Sequence, residues 1–405
     1  MRVLFLSNWF PYPPSNGSRL RIYSLLRGLA RHHEISLISF TERSEIDRKS
    51  PEIHSICREV QVVPWNQTKQ NKLLNALSLL SPTPRSILND LSQEMIQCIQ
   101  DSLTREKYDL IIASELGTAI YSSYFRDIPA IIEDLELGVL YEEFTQANST
   151  WRKFRNGLTW EKHRRYITRL LKDFEICTVV SEQERELLSR VVKDHESIEV
   201  IPNFINLADY SDIDVTPEQN SLIFTGPFRY FANHDAMVWF IQGIYPQIQR
   251  QFPDVHLTIT GDHADLPLPQ ATNVTLTGFV EDVRPMVASS WVSLVPVRVG
   301  SGTRLKILEA MATGVPVVST SKGAEGLEVN DGEHLLIADT AEDFAKNVVR
   351  LLKENELRQE IITRARNLVK MKYDMEAVIP QFERLVQKVG HNSSKLESRN
   401  SRIKF

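Results

Sequence analysis

Short apolar runs recur along this chain, each followed by a longer stretch in which polar and apolar positions alternate at helical spacing. In the first half the runs read RVLFLS, EISLIS, VQVV, DLIIA, PAIIE, CTVV and IEVI. Such runs fit strands buried on both faces, and their separation by helical patterns predicts a parallel sheet covered by helices on either side. After IPN (Ile201 to Asn203) the pattern gives way to a polar, acidic stretch, LADYSDIDVTPEQN. It then restarts with SLIFTG, VHLTITG, NVTLTG, VSLVPV, VPVVST and HLLIA. The expected architecture is α/β: two Rossmann-like domains over residues 1–204 and 221–373, joined by a linker at 205–220. Residues 374–390 keep a helical pattern, with Pro380 marking a bend or a new start, and 391–405 lack core formers and read as a disordered tail.

Composition narrows the class. At 405 residues, with 42% apolar and 24% charged positions, the chain suits a soluble protein with two cores. The net charge of -5 gives no overall basic field, so nucleic acid is not an expected partner. Cys57, Cys98 and Cys177 stand far apart without metal-ligand spacing, which points to a reducing compartment and no structural zinc. The opening MRVLFLSNWFPYPP is too short an apolar run for a signal peptide, and no 18-residue apolar run follows, so a cytoplasmic protein without a membrane span is expected.

The chemistry concentrates in VGSGTRLKILEAMATGVPVVST (Val299 to Thr320). A glycine-broken turn precedes a short helix that Thr303 is placed to cap, that Ile307, Leu308, Met311 and Ala312 bury, and that Gly314 ends. Lys306 is the anomaly. A helix N-terminus already carries partial positive charge and unpaired N–H groups, so a cation in its first turn calls for an anion. Glu309, three residues on, shares its face. A diphosphate on Lys306 and the N–H groups, with Glu309 accepting from ribose hydroxyls, accounts for the arrangement. A surface Lys/Glu pair, worth a few tenths of a kcal/mol, accounts for the spacing alone.

The stretch GTRLKILEAMATGVPVVSTSKGAEGL resembles the signature of the family-4 retaining glycosyltransferases of the GT-B fold, in which a glutamate near such a helix start holds the donor's ribose. FLSNWFPYPPSNGSRLRIYSLLRGLARHHEISLISF is similar to their N-terminal phosphate-side loop and first helix. FTGPFRYFANHDAMVWFIQGIYPQI, LTITG and TGFVEDVRPMVASSWVSLVPVRVGSGT follow in the family's order, so the resemblance spans nearly the whole chain. It is nearest to bacterial exopolysaccharide sugar transferases of the exosortase-associated type.

This resemblance implies parallel sheets facing across a cleft, acceptor in the first domain, donor in the second, and a C-terminal helix crossing back to the first. It implies retaining, metal-independent transfer of a hexose-type sugar from a UDP- or GDP-type donor to a glycan, lipid-linked or small-molecule hydroxyl, with no cofactor. The implied donor site is Gly226, Arg229, Gly261, Phe279, Val280, Ser301, Gly302, Thr303, Lys306 and Glu309, with Arg298, Lys306 and Glu309 nearest the chemistry. Where relatives carry a first glutamate against the transferred sugar, eight positions before Glu309, this chain has Ser301. Their Arg and Lys after the first strand of the second domain reduce to Arg229. A sugar-nucleotide 2-epimerase and a non-catalytic GT-B binding protein therefore stand as alternatives.

On the acceptor side, Asn16 and Gly17 open a helix where backbone can approach a phosphate or sugar, and Arg21 reads either as a phosphate-facing cation or as a solvated side chain. Where many relatives have a histidine after a first-domain strand, PAIIEDLELG offers Glu133, Asp134 and Glu136. In GFVED the resemblance implies that backbone at Phe279 and Val280 reads the base edge. Asp212 and Asp214 read as a solvated turn. Finally, WRKFRNGLTWEKHRRYITRLLK (Trp151 to Lys172) sets eight Lys or Arg against one acid among aromatics. That is either a solvated helix face or a patch for an anionic membrane, which would put the protein peripherally on the inner face.

Overall fold

The apolar runs form strands; most lack the polar alternation of a half-exposed sheet, while NVTLTG alternates and is partly exposed. The structure is a computed structural model that describes residues 1–65, 84, 87, 91–145, 150–192, 197–300, 302 and 304–402. It comprises two units, Met1–Pro202 with Val378–Phe405, and Asn203–Ala377. In the first, β1 (Arg2–Ser7), β2 (Glu34–Thr41), β3 (Glu59–Pro64), β4 (Leu110–Ser114), β5 (Ala130–Glu133), β6 (Ile176–Val179) and β7 (Ile198–Val200) make one sheet in the order β3-β2-β1-β4-β5-β6-β7. All its pairings are parallel. Leu4, Phe5 and Leu6 are fully buried, each contributing about 1.5–3 kcal/mol by area.

Among the described residues the longer helices between these strands are α1 (Gly17–Leu29), α2 (Gln93–Arg105), α3 (Gly138–Thr145), α4 (Thr150–Leu170) and α5 (Glu182–Val191), with shorter helical turns between. Asn16 starts α1 as an extended N-cap whose Oδ1 accepts from Arg19 N at 3.0 Å. The strand order reverses between β1 and β4, so their C-terminal ends flank the crevice where open α/β sheets take ligands.

The second unit repeats the design. It contains β8 (Ser221–Thr225), α6 (Phe231–Trp239), β9 (His256–Thr260), β10 (Val274–Gly278), α7 (Arg284–Ala288), β11 (Val292–Val295), α8 (Leu305–Thr313), β12 (Val317–Ser319), β13 (Leu336–Ile337), α9 (Ala341–Lys353) and α10 (Asn355–Leu368). The sheet order is β10-β9-β8-β11-β12-β13, again all parallel, with its reversal between β8 and β11. The polar stretch expected as a linker has structure of its own. A 3-10 turn at Leu207–Tyr210 is held by Asp374 Oδ1, which accepts from Leu207 N at 3.1 Å, and Tyr210 is buried. Asp212 and Asp214 are exposed.

The closing helix, α11 (Met375–Arg402), has Pro380 inside it rather than at its start. From Val378 onward it belongs to the first unit. Ile379 lies on Gly28, where a Cβ would come within 2.5 Å of its Cδ1, and Glu383 Oε1 is 2.6 Å from His33 Nε2. The segment read as a tail continues this helix to Arg402; it contains no proline or glycine after Gly390 to stop it. No described helix is long and apolar enough to cross a membrane.

Candidate functional site

The second unit's site is built where β8 ends. Gly226 and Gly261 follow β8 and β9 with φ of +139° and +114°, backbone that side-chain-bearing residues rarely adopt. A Cβ on Gly261 would lie 2.7 Å from the carbonyl carbon of Gly226, and one on Gly226 2.9 Å from Lys306 Nζ. Only glycines let the two loops and the lysine meet here.

Lys306 is the second residue of α8. Its ammonium donates to the carbonyl of Thr225 and, at 3.1 Å, to Asn233 Oδ1, and lies 4.1 Å from the Phe224 ring centroid. Both acceptors are neutral. Burial, helped by the Arg304 charge, pushes the Lys306 pKa down to about 7 against the opposing pull of Glu309. Glu309, one turn on, accepts from Tyr210 O–H at 3.5 Å. Burial pushes its carboxyl up, while Lys306, the Tyr210 bond and Arg284 hold it down.

The helix start differs from expectation. Arg304, not Thr303, occupies the N-cap, with no side-chain cap bond, because α8 begins only at Leu305. Gly302 has φ +87°, and Ser301 and Thr303 lie outside the described residues. Gly314 ends the helix in the left-handed conformation, as anticipated. Arg304 is buried, donating to Gly300 O at 2.9 Å and to Tyr230 O–H at 3.3 Å.

The remaining donor-side residues divide. Arg298, expected near the chemistry, is bound to both oxygens of Asp235 at 2.9 and 3.0 Å, its guanidinium 4.8 Å from the Trp239 ring centroid. Arg229 is exposed and paired with Asp262 at 2.5 Å. Phe279 stands 73% exposed beyond β10, beside half-buried Val280. Sequence reasoning missed Asn233, Tyr210 and Arg284. The available signals, an asparagine within a helix and a tyrosine in a polar stretch, are weak.

In the first unit, Asn16 and Gly17 open α1 as expected. Both readings of Arg21 are corrected: its side chain is 2% exposed, neither solvated nor turned outward. A buried guanidinium must be paired. Its Nε donates to Glu133 Oε1 at 2.6 Å and lies 3.7 Å from Asp134 Oδ2, while its Nη atoms donate to Pro202 O and Ile201 O at 2.9 and 3.0 Å. Glu133, fully buried, also accepts from Ser114 Oγ at 2.8 Å. Asp134 has φ +57°, and burial raises its pKa despite Arg21.

Glu115, also missed, follows β4 with φ +64° and accepts from Trp9 Nε1 at 3.1 Å and Asn8 Nδ2 at 3.3 Å. Burial pushes its carboxyl up to about 7. Its signal was only a carboxylate just past a buried strand. Among the described residues no group of three or more His, Cys, Asp or Glu is arranged to hold a metal ion.

On α4 the aromatics separate by face. Trp160 and Tyr166 pack against the core, whereas Trp151 and Phe154 are 72% and 66% exposed. Arg164 and Arg165 are both tied to Glu161, at 2.7 and 2.6 Å. Of the aromatics in the candidate membrane patch only these two face outward, because the helix turns Trp160 and Tyr166 inward.

Comparison with known proteins agrees with this geometry. The model for Glycosyltransferase Family 4 matches residues 15–209, and that for Glycosyl transferases group 1 matches residues 219–354. Among solved structures, Anabaena Alr3699/HepE, solved with UDP and glucose, is similar over 96% of this chain and 100% of its own, with TM-score 0.65 and 15% identity. Sucrose-phosphate synthase from Thermosynechococcus elongatus is similar over 96% and 99%, with TM-score 0.71 and 17% identity. Together these findings put the chain among the glycosyltransferases of the GT-B fold.

An uncharacterized 44.6 kDa protein in the cps region of Klebsiella pneumoniae is 25% identical over 93% of this chain and 97% of that protein. Phosphatidyl-myo-inositol mannosyltransferase of Mycobacterium leprae (strain TN) is 29% identical over 49% of this chain and 55% of the mannosyltransferase.

Proposed function

We propose that the second unit binds a UDP- or GDP-type sugar nucleotide and that the chain transfers its sugar, with retained anomeric configuration, to an acceptor hydroxyl. The observation that carries this reading is Lys306, a half-buried ammonium whose hydrogen-bond partners are both neutral, at the mouth of the sheet's reversal. Without an anion such a cation is costly. Breaking the anomeric bond builds negative charge on the leaving diphosphate and positive charge on the sugar ring. Lys306 and the N-terminus of α8 stabilise the diphosphate without a metal ion. Glu309 receives the ribose hydroxyls, backbone at Phe279 and Val280 meets the base, and Gly226 and Gly261 give the nucleotide room. Arg298 and Arg229 serve at the rim, since each already has a carboxylate partner.

The acceptor belongs to the first unit, at the ends of β1 and β4 where Asn16, Gly17 and Glu115 lie, with Arg21, Glu133 and Asp134 bracing that floor. A glycan or lipid-linked hydroxyl of an exopolysaccharide type fits best; the cps-region setting of the Klebsiella relative points the same way. Exposed Trp151, Phe154 and Leu158, with Lys153 and Arg155 beside them, suit attachment to an anionic inner membrane face. A calorimetric panel of UDP- and GDP-sugars tests the donor reading: one base should bind at micromolar to millimolar level. Binding of neither base refutes it, and recovery of an epimerised donor with no transfer would shift the reading to an epimerase.

A further inference from the structure

The carboxylate at position 309 does not stand alone. Tyr210, only 8% exposed, donates its O–H to Glu309 Oε1 at 3.5 Å. The Arg284 guanidinium lies 6.0 Å from the Tyr210 ring centroid and donates to the carbonyl of Asp209. On its other side, Arg284 Nε and Nη2 grip Asp282 Oδ1 and Oδ2 at 2.8 and 2.9 Å, and Arg284 N donates to the same Oδ1 at 3.0 Å. Asp282 closes the loop that begins at Gly278. One continuous run of contacts thus joins the Glu309 carboxylate, through the turn at Leu207–Tyr210, to the loop beyond β10.

We propose that Tyr210 is a positioning residue for Glu309, and that Arg284 ties it to the Gly278–Asp282 loop so that base and ribose are read by one strut. This rests on the reading of the second unit as the nucleotide site. A glutamate side chain is free about three bonds, and a site that fixes it before the ligand arrives loses less conformational freedom on binding. The phenol fixes one carboxylate oxygen. The guanidinium fixes the phenol's ring and the backbone beside it, and its fork on Asp282 is the bidentate geometry that holds orientation best. The polar stretch between the two sheets therefore contributes to recognition as well as connecting them.

The test is calorimetry on the full chain with UDP and GDP and with their 2′,3′-dideoxy counterparts. Tyr210→Phe keeps the ring and its Arg284 contact but removes the donor. It should weaken the ribonucleotide about five- to tenfold, the scale of one ordinary hydrogen bond, and the dideoxynucleotide less than about twofold. In a Glu309→Ala background, where no side chain remains to be positioned, the same change should add nothing. Equal weakening of both nucleotides would mean that Tyr210 only packs the fold, and no weakening of either would mean that it does not position Glu309; each overturns the proposal. If the parent chain binds neither UDP nor GDP, the donor reading itself falls and this inference with it, an outcome distinct from a bound nucleotide that ignores Tyr210.

Discussion

Replacing Lys306 by methionine keeps an unbranched apolar stem against Phe224 and removes the charge. In the ligand-free protein the ammonium sits at a pKa of about 7 against an ordinary 10.5, and each unit corresponds to about 1.4 kcal/mol. The charged form is thus disfavoured by up to roughly 4–5 kcal/mol. The sign follows from the direction of the shift. A lysine with a lowered folded pKa binds fewer protons folded than unfolded between about pH 7 and 10.5, so stability rises with pH across that window.

Lys306→Met should therefore raise the ligand-free melting temperature at pH 7, with the gain shrinking toward pH 10. A bound diphosphate reverses the balance by favouring the charged form, so nucleotide binding at pH 8 should draw protons from solution, up to about one per site. Calorimetry in HEPES and Tris, which differ in ionisation enthalpy, counts them. The variant should take up almost none and bind UDP or GDP more weakly by about 2–3 kcal/mol, roughly 30- to 150-fold. Glu309→Gln controls for the other titrating neighbour. Parent protein that binds nucleotide at pH 8 without proton uptake, or a variant that binds as tightly as the parent, refutes the reasoning.

Two further outcomes follow from the first unit. Glu115→Gln should stabilise the protein more at pH 8 than at pH 5: burial lifts this carboxyl to about 7, so the folded chain binds the extra proton between about 4.5 and 7 and loses stability as pH rises through that range. Equal shifts in melting temperature at both pH values would contradict the burial argument. Trp151→Ser with Phe154→Ser, and separately Lys153→Gln with Arg155→Gln, should reduce sedimentation with phosphatidylglycerol vesicles at low salt, each cation contributing about 1 kcal/mol. A parent chain that ignores such vesicles leaves α4 a solvated helix.

Much of the fold was legible because both sheets are parallel and covered on both faces. Most of their strands therefore appear as apolar runs, from RVLFLS to VPVVST, and each run became a strand, the alternating and partly exposed edge run NVTLTG included. Lys306 and Glu309 were legible because helical spacing is local. What surrounds them was not. Asn233 reaches Lys306 across 73 residues of sequence and Tyr210 reaches Glu309 across 99, and no local pattern records such a meeting. Arg21 looked like any arginine of a first helix because its partner, Glu133, lies 112 residues on. On α4, basic residues occupy nearly every face, which hides the period that turns Trp160 inward and Trp151 outward.

The central claim is that this chain breaks the anomeric bond of a sugar nucleotide with retention and without a metal ion. Proton NMR of the full chain with α-linked UDP- and GDP-sugars, with and without EDTA, reads the first-formed sugar anomer before mutarotation scrambles it. The expected result is release of UDP or GDP with the α anomer appearing first, at the same rate in both samples. Appearance of the β anomer first, dependence on a chelatable metal, or intact donors of both bases after prolonged incubation would contradict it.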